Sequence, residues 1–229
     1  MLTVRSCYQP TNHYHNFRHA IDVLQATFQI LVLSNLLPPL PVPHPPMQKP
    51  SSAPSHLPPG YFTPIELLAL CIAAIGHDAA HPGVTNAFLA ASKSSLATLF
   101  NDRSVLENLH CLTISRIIED RWPALFAGDE GGKLRRLVLE MILSTDMALH
   151  FDFMERFEAL RRSGISSSPV DDKQQRLICC CIMKSADISN LVFPISLYLS
   201  LNGKGTPVDS EHGLDTCATK GSQRTRRSR

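Results

Sequence analysis

The chain shows almost no strand signal. No stretch alternates apolar and polar residues convincingly over a strand's length, so a sheet-based architecture is set aside. A charge excess is missing as well. Lys and Arg number 22 against 20 Asp and Glu, a formal net charge of +2, which removes any general electrostatic case for nucleic acid. The seven cysteines have no paired spacing, so neither a disulfide framework nor a zinc knuckle is indicated. Cys179, Cys180 and Cys181 are consecutive inside the apolar run LICCCIM and read as core in a reducing compartment. No apolar run approaches the ~20 residues of a membrane span, and the N-terminus carries no signal-peptide pattern. The default expectation is a cytoplasmic protein without a membrane span.

What is present is helical periodicity. With 229 residues, 44% hydrophobic and 18% charged, the chain is long enough for one domain with a sizeable core. From His15 to about Leu37, Ile21, Leu24, Phe28 and Leu31 recur at helical spacing. Residues 38–60, PPLPVPHPPMQKPSSAPSHLPPG, hold ten of the 17 prolines and are expected to form an extended or disordered surface insert. A helix restarts after Thr63, with Pro64 in its first position and Glu66 completing a capping box. It runs through ELLALCIAAI and stops at Gly76. Further helices are expected over Ser104 to about Glu119, over Leu134 to about Leu160 (long or broken), and from caps at Asp171 and Gln174 to SADISN. The fold class is all-α. Residues 199–229 lack periodicity and read as an unstructured basic tail.

Histidines and carboxylates gather at the ends of these helices. His15 and His19 are four apart, which on a helix puts them on one face. His77 and Asp78 end the helix that starts after Thr63, and Asp187 lies near the end of the last one. Asp is rarely buried unless paired or metal-bound. Two imidazoles and two carboxylates on facing helices suit zinc, manganese, iron or magnesium. Two carboxylates also leave room for a second, harder cation. Taken singly, each residue has a plainer reading: His15 as a core or surface residue, Asp187 as a turn residue, Glu107 as the capping partner of Ser104. Trp122 and Pro123 read as a helix stop. The joint order His…His-Asp…Asp is the pattern of metal-dependent phosphohydrolases of the histidine–aspartate superfamily.

Five motifs extend that pattern: YHNFRHAIDVLQ, IGHDAAHPGVTNAFL, NDRSVLEN, STDM and SADISN. In this order they resemble the catalytic domain of class I 3′,5′-cyclic nucleotide phosphodiesterases, from about residue 4 to about residue 198. YHNFRHAIDVLQATF with the Pro-rich insert is most similar to the fungal high-affinity cAMP branch. The resemblance implies a multi-helix bundle of the histidine–aspartate type and two divalent ions, zinc and magnesium or manganese. It implies that His19, His77, Asp78 and Asp187 hold the first ion and that Asp78 bridges to the second. His81, Glu107, His110 and Thr145 match positions in the surrounding shell. His15 matches the general acid, Tyr14 lines the pocket, and Asn190 matches a purine-contacting position. The implied reaction is attack by an ion-bridging hydroxide on the cyclic phosphorus, with an imidazole protonating the leaving 3′ oxygen. The product is a 5′-monophosphate.

The match also has departures. Ala80 stands where relatives often carry Asp or Gly, and Ser185 where they often carry Cys. Nothing in 199–229 resembles the helices that follow SADISN in the family, nor is the segment before YHN as long. Residues 1–198 are therefore expected to be an incomplete catalytic domain with apolar faces left uncovered. Such a chain is expected to be poorly stable, to self-associate, and to be weakly active. The alternative is a non-catalytic fragment that binds metal or a partner without turnover.

Overall fold

The computed structural model describes residues 2–37, 60–164 and 171–189. Most of the proline-rich stretch, residue Asn190 and the expected basic tail lie outside them. Among the described residues all regular structure is helical, as the periodicity predicts. A short α1 (Leu2–Arg5) precedes α2 (Phe17–Leu33), α3 (Pro64–Gly76), α4 (Asn86–Ala91), α5 (Ser95–Leu99) and α6 (Val105–Arg121). Then follow α7 (Gly128–Leu143), α8 (His150–Ser163) and α9 (Asp172–Ser189), with 3-10 turns at Pro123–Phe126 and Met147–Leu149. No helix among the described residues is long and apolar enough to cross a membrane.

The centre of the bundle is α3, whose sequence is apolar on nearly every side. It packs against α7, α2, α9 and α6. Its contact with α6 requires Gly76, because a Cβ there would lie 2.4 Å from Ile114 Cγ1. The Glu66 carboxylate accepts from the Thr63 N–H at 2.8 Å and also takes the Thr63 hydroxyl, closing the start of α3. Glu66 is fully buried, and the Lys133 ammonium of α7 pairs with it at 2.8 Å. Burial alone would push this carboxyl up. The hydrogen bonds from Lys133 and Thr63 outweigh that and hold it below the ordinary range.

Several boundaries differ from the sequence expectation. The first long helix starts at Phe17, because Asn16 adopts extended backbone and its side-chain oxygen accepts from the Arg18 and His19 N–H groups. His15 therefore precedes α2 and does not share a helical face with His19. The buried face of α2 is His19, Ala20, Val23, Ala26, Thr27 and Leu31; of the expected stripe Leu31 is buried, while Ile21, Leu24 and Phe28 are half-buried. Small residues let α3 and α9 approach, and the larger ones fill the flanks. The helix expected from Leu134, long or broken, is the broken one, and it differs only in its start: α7 begins at Gly128 and stops at Leu143, and α8 restarts at His150. Asp146 marks the break, its carboxylate accepting from Ala148 N–H and from the Ser104 hydroxyl at 2.7 Å. At the start of α9 the Asp171 carboxylate accepts from Lys173 N–H. Cys179 and Cys180 are buried, and the described cysteines are free thiols.

Candidate metal centre

Three helix ends meet at one point. His19 comes from the first turn of α2, His77 and Asp78 directly follow α3, and Asp187 sits in the last turn of α9. His77 Nε2 lies 3.2 Å from His19 Nε2. Asp78 Oδ2 is 3.4 Å from His19 Nε2 and 3.3 Å from His77 Nε2. Asp187 Oδ1 is 3.1 Å and 3.3 Å from the same two nitrogens. His19, His77 and Asp78 are all buried.

This donor set fits a divalent cation. His77 Nδ1–H donates to the Ala74 carbonyl at 3.0 Å, which leaves the lone pair of a neutral ring on Nε2, facing the cluster. Asp78 Oδ2 is buried without a hydrogen bond. Ligand atoms sharing an ion at about 2.0–2.2 Å lie roughly 3.0–3.5 Å apart, the spacing found between these nitrogens and carboxylate oxygens. Burial pushes the His77 imidazole down, yet Asp78 and Asp187 outweigh it and hold it well above its ordinary value. Asp78 and Asp187 are both held well below the carboxylate range, against the effect of burial, chiefly by His77 at Asp78 and by His19 and His77 at Asp187. A cation held by these groups would compete with protons for the same atoms.

A second layer surrounds Asp78. His110 Nδ1–H donates to the Ala79 carbonyl at 2.6 Å, and its Nε2 stands 3.9 Å from Asp78 Oδ1. Burial pushes the His110 imidazole down to about 4. The Asn86 side-chain nitrogen donates to both Glu107 carboxylate oxygens, at 3.0 and 3.3 Å, and burial raises the Glu107 carboxyl. Glu107 is thus no capping partner of Ser104, whose left-handed backbone and bond to Asp146 give it a different task. The Thr145 hydroxyl donates to the Ile142 carbonyl at 2.8 Å. The Tyr14 ring is 43% exposed and lies 5.0 Å from the His15 ring and 4.6 Å from that of His19.

The family model of 3′5′-cyclic nucleotide phosphodiesterases matches residues 14–202. The chain belongs to this family. It is similar to 3′,5′-cyclic-nucleotide phosphodiesterase 2 of Saccharomyces cerevisiae, 34% identical over 86% of this chain and 30% of the relative. A second relative is the 3′,5′-cyclic-nucleotide phosphodiesterase regA of Dictyostelium discoideum, 31% identical over 85% of this chain and 22% of the relative. Among solved structures, yeast caPDE2 superposes with a TM-score of 0.68 at 35% identity, covering 82% of this chain and 38% of that one. The phosphodiesterase domain of a rhodopsin fusion protein from Salpingoeca rosetta gives 0.67 at 28% identity, covering 88% and 63%. The matches spread over yeast, amoeba and choanoflagellate, so membership is of the family as a whole and not specifically of its fungal branch. The chain spans about a third or less of the curated relatives' length.

In this phosphodiesterase-family chain the structure brings His19, His77, Asp78 and Asp187 to one point, with His110 beside them. His81 stands with His15, their rings stacked at 4.0 Å and 10°. Residues that sequence reasoning passed over complete the surroundings. Asn86 supports Glu107 with its nitrogen and accepts from the Leu106 N–H with its oxygen. Lys184, three residues before Asp187, is buried and donates to the Ser144 carbonyl at 2.6 Å. The Tyr8 hydroxyl donates to the Ile75 carbonyl just ahead of His77. Asn86 lies inside one of the five motifs. For Tyr8 and Lys184 no local pattern announces the partner, which is distant in sequence.

Proposed function

We propose that this chain carries the metal-dependent centre that hydrolyses a 3′,5′-cyclic nucleotide, cAMP, to its 5′-monophosphate. The observation that carries the reading is the His19, His77 and Asp78 cluster, with an unbonded buried carboxylate oxygen, in a chain of this family. In this reading His19, His77, Asp78 and Asp187 hold one ion, zinc. Asp78 would also reach a second, magnesium or manganese, and His81, Glu107, His110 and Thr145 would hold its waters or stand in the shell around it. When bound, such ions supply Lewis acidity that lowers the pKa of water and offsets phosphoryl charge.

The chain's own residues orient and protonate. Water adds its oxygen to phosphorus and the bond to the 3′ oxygen breaks. His15 passes a proton to that oxygen as it leaves. Tyr14, beside His15 and open to solvent, lines the nucleotide side. Asn190, which lies outside the described residues, contacts the purine. The choice of cAMP rests on the resemblance of YHNFRHAIDVLQATF to the fungal high-affinity cAMP branch. A Dictyostelium relative 36% identical over 82% of this chain is named as cGMP-specific, so both nucleotides belong in the test. A cytoplasmic location and self-association through uncovered apolar side chains complete the reading. Phe151 is 83% and Met147 60% exposed, and sedimentation velocity reads the association.

The deciding experiment supplies zinc and magnesium to the purified chain and follows cAMP and cGMP conversion beside an Asp78→Ala control. Turnover that disappears in the control carries the reading. Stoichiometric metal without turnover supports the second reading, a metal-binding segment that is not catalytic by itself.

A further inference from the structure

We propose that Asn12 is a positioning residue that aims His15 by clamping it against His81; the proposal rests on the reading of His15 as proton donor. The Asn12 Nδ2 donates to the His15 carbonyl at 3.1 Å and to the His81 carbonyl at 2.9 Å. One amide nitrogen carries two N–H groups, so a single side chain ties two loops that are 69 residues apart in the chain. Neither an acid nor an apolar side chain can do this.

The clamp is held from both sides. Asn16, which starts α2 with its oxygen, donates with its nitrogen to the Asn12 carbonyl at 2.9 Å. The position of His19 and that of Asn12 therefore share one anchor. On the other side Gly83 lies so close that a Cβ would stand 2.8 Å from Asn12 Oδ1, and its φ of +83° suits glycine. The Gly83 N–H donates to His81 Nδ1 at 2.9 Å, so that nitrogen is unprotonated and the ring is neutral. Burial and the neighbouring His15 push the His81 imidazole down to about 4, in agreement. His15 thus stacks on a flat, uncharged platform at 4.0 Å and 10°, and His81 in turn stacks on His110 at 5.6 Å and 19°. The hydrogen bonds of the Asn12 side chain go to the backbone of His15 and His81 and to none of His19, His77, Asp78 and Asp187, so zinc content reads whether its work is separable from metal binding.

The test uses the full chain with 13C-labelled histidine, the His15 signals being assigned with a His15→Gln variant. In Asn12→Asp the ring-current shift that His81 imposes on the His15 ring protons is expected to disappear, while zinc content stays stoichiometric. With cAMP and magnesium, kcat is expected to fall about 10- to 100-fold with KM nearly unchanged. If Asn12→Asp does not fold, Asn12→Ser, which shortens the reach without adding charge, replaces it. Unchanged ring shifts overturn the proposal. Loss of zinc together with the shifts also overturns it, since Asn12 would then be supporting the whole centre. If the wild-type chain turns over no nucleotide, the catalytic reading fails by itself and the ring shifts alone decide the clamp.

Discussion

His19 and His77 come from different helices, 58 residues apart in the chain, and point their Nε2 atoms at each other across 3.2 Å. Carboxylate oxygens of Asp78 and Asp187 stand 3.1–3.4 Å from the same two nitrogens, the spacing of ligands around one cation. A shared cation satisfies both, together with Asp78 Oδ2. Zinc is therefore expected to raise the melting temperature of the wild-type chain. At 100 to 1,000 times its Kd, a ligand adds about 2.7–4.1 kcal/mol. Asp78→Ala and His77→Ala should show little of that gain and less than one bound zinc. Thermal melts with and without a chelator, beside elemental analysis, check this.

Without metal, the same cluster makes stability depend on pH. Asp78 and Asp187 are held below the carboxylate value of 3.8, so in acid the unfolded chain takes up protons before the folded one. Their contribution is present above about pH 4 and is lost as pH falls toward the depressed folded values. His77 acts in the opposite sense: raised above 6.5 in the folded chain, it stabilises below that value, and the effect is lost as pH rises through its folded pKa. His81 and His110, pushed down to about 4, act against folding as pH falls below 6.5, so the chelated chain should melt highest near neutral pH. Asp187→Asn should flatten the acid side, and urea midpoints across pH 3–8 read both limbs.

Glu66 and Lys133 form an asymmetric pair, the carboxylate fully buried and the ammonium side chain 37% exposed. Lys133→Met leaves a buried charge with only Thr63 as partner, and should cost on the order of 2 kcal/mol. Glu66→Gln keeps the Thr63 contacts and frees the lysine to water, so it should cost less. A larger loss in Glu66→Gln, measured by chemical denaturation, would count against this assignment of the burden.

Ala80 has a φ of 64°, a left-handed backbone that an alanine Cβ disfavours. Its N–H donates to the Cys7 carbonyl, which keeps the segment after Asp78 in this conformation. This is the position at which the resemblance noted Asp or Gly in relatives. Ala80→Gly should stabilise the chain by about 0.5–1 kcal/mol, because relief of strain exceeds the added unfolded-state entropy. A denaturant midpoint that falls would show that the strain is absorbed elsewhere.

The helices were legible where periodicity and caps agree, as at Thr63, Pro64 and Glu66. They were misjudged where a side chain makes a distant bond. Asn16 shortens the first long helix and removes His15 from it, although His15 and His19 have helical spacing. Asp146 stops α7 by taking the hydroxyl of Ser104, 42 residues away in sequence, and no local pattern in STDM announces that. The stripe chosen for α2 favoured large residues, whereas close packing against α3 and α9 buries the small ones.

By itself the amino-acid order determined the helical class, the cap of the central helix, and the sequence of motifs that places the chain in its family. Those features are local: hydrogen bonds within a turn, side chains three or four apart, residue types in a fixed order. Only the tertiary structure decided that His19, His77, Asp78 and Asp187 converge, that His81 lies flat against His15, and that Asn12 holds the two together. Convergence depends on how α2, α3 and α9 cross, and that is set by packing between residues far apart in the chain. Gly76 against Ile114 and the small residues of α2 permit this packing, and no spacing along the chain encodes the distances that result.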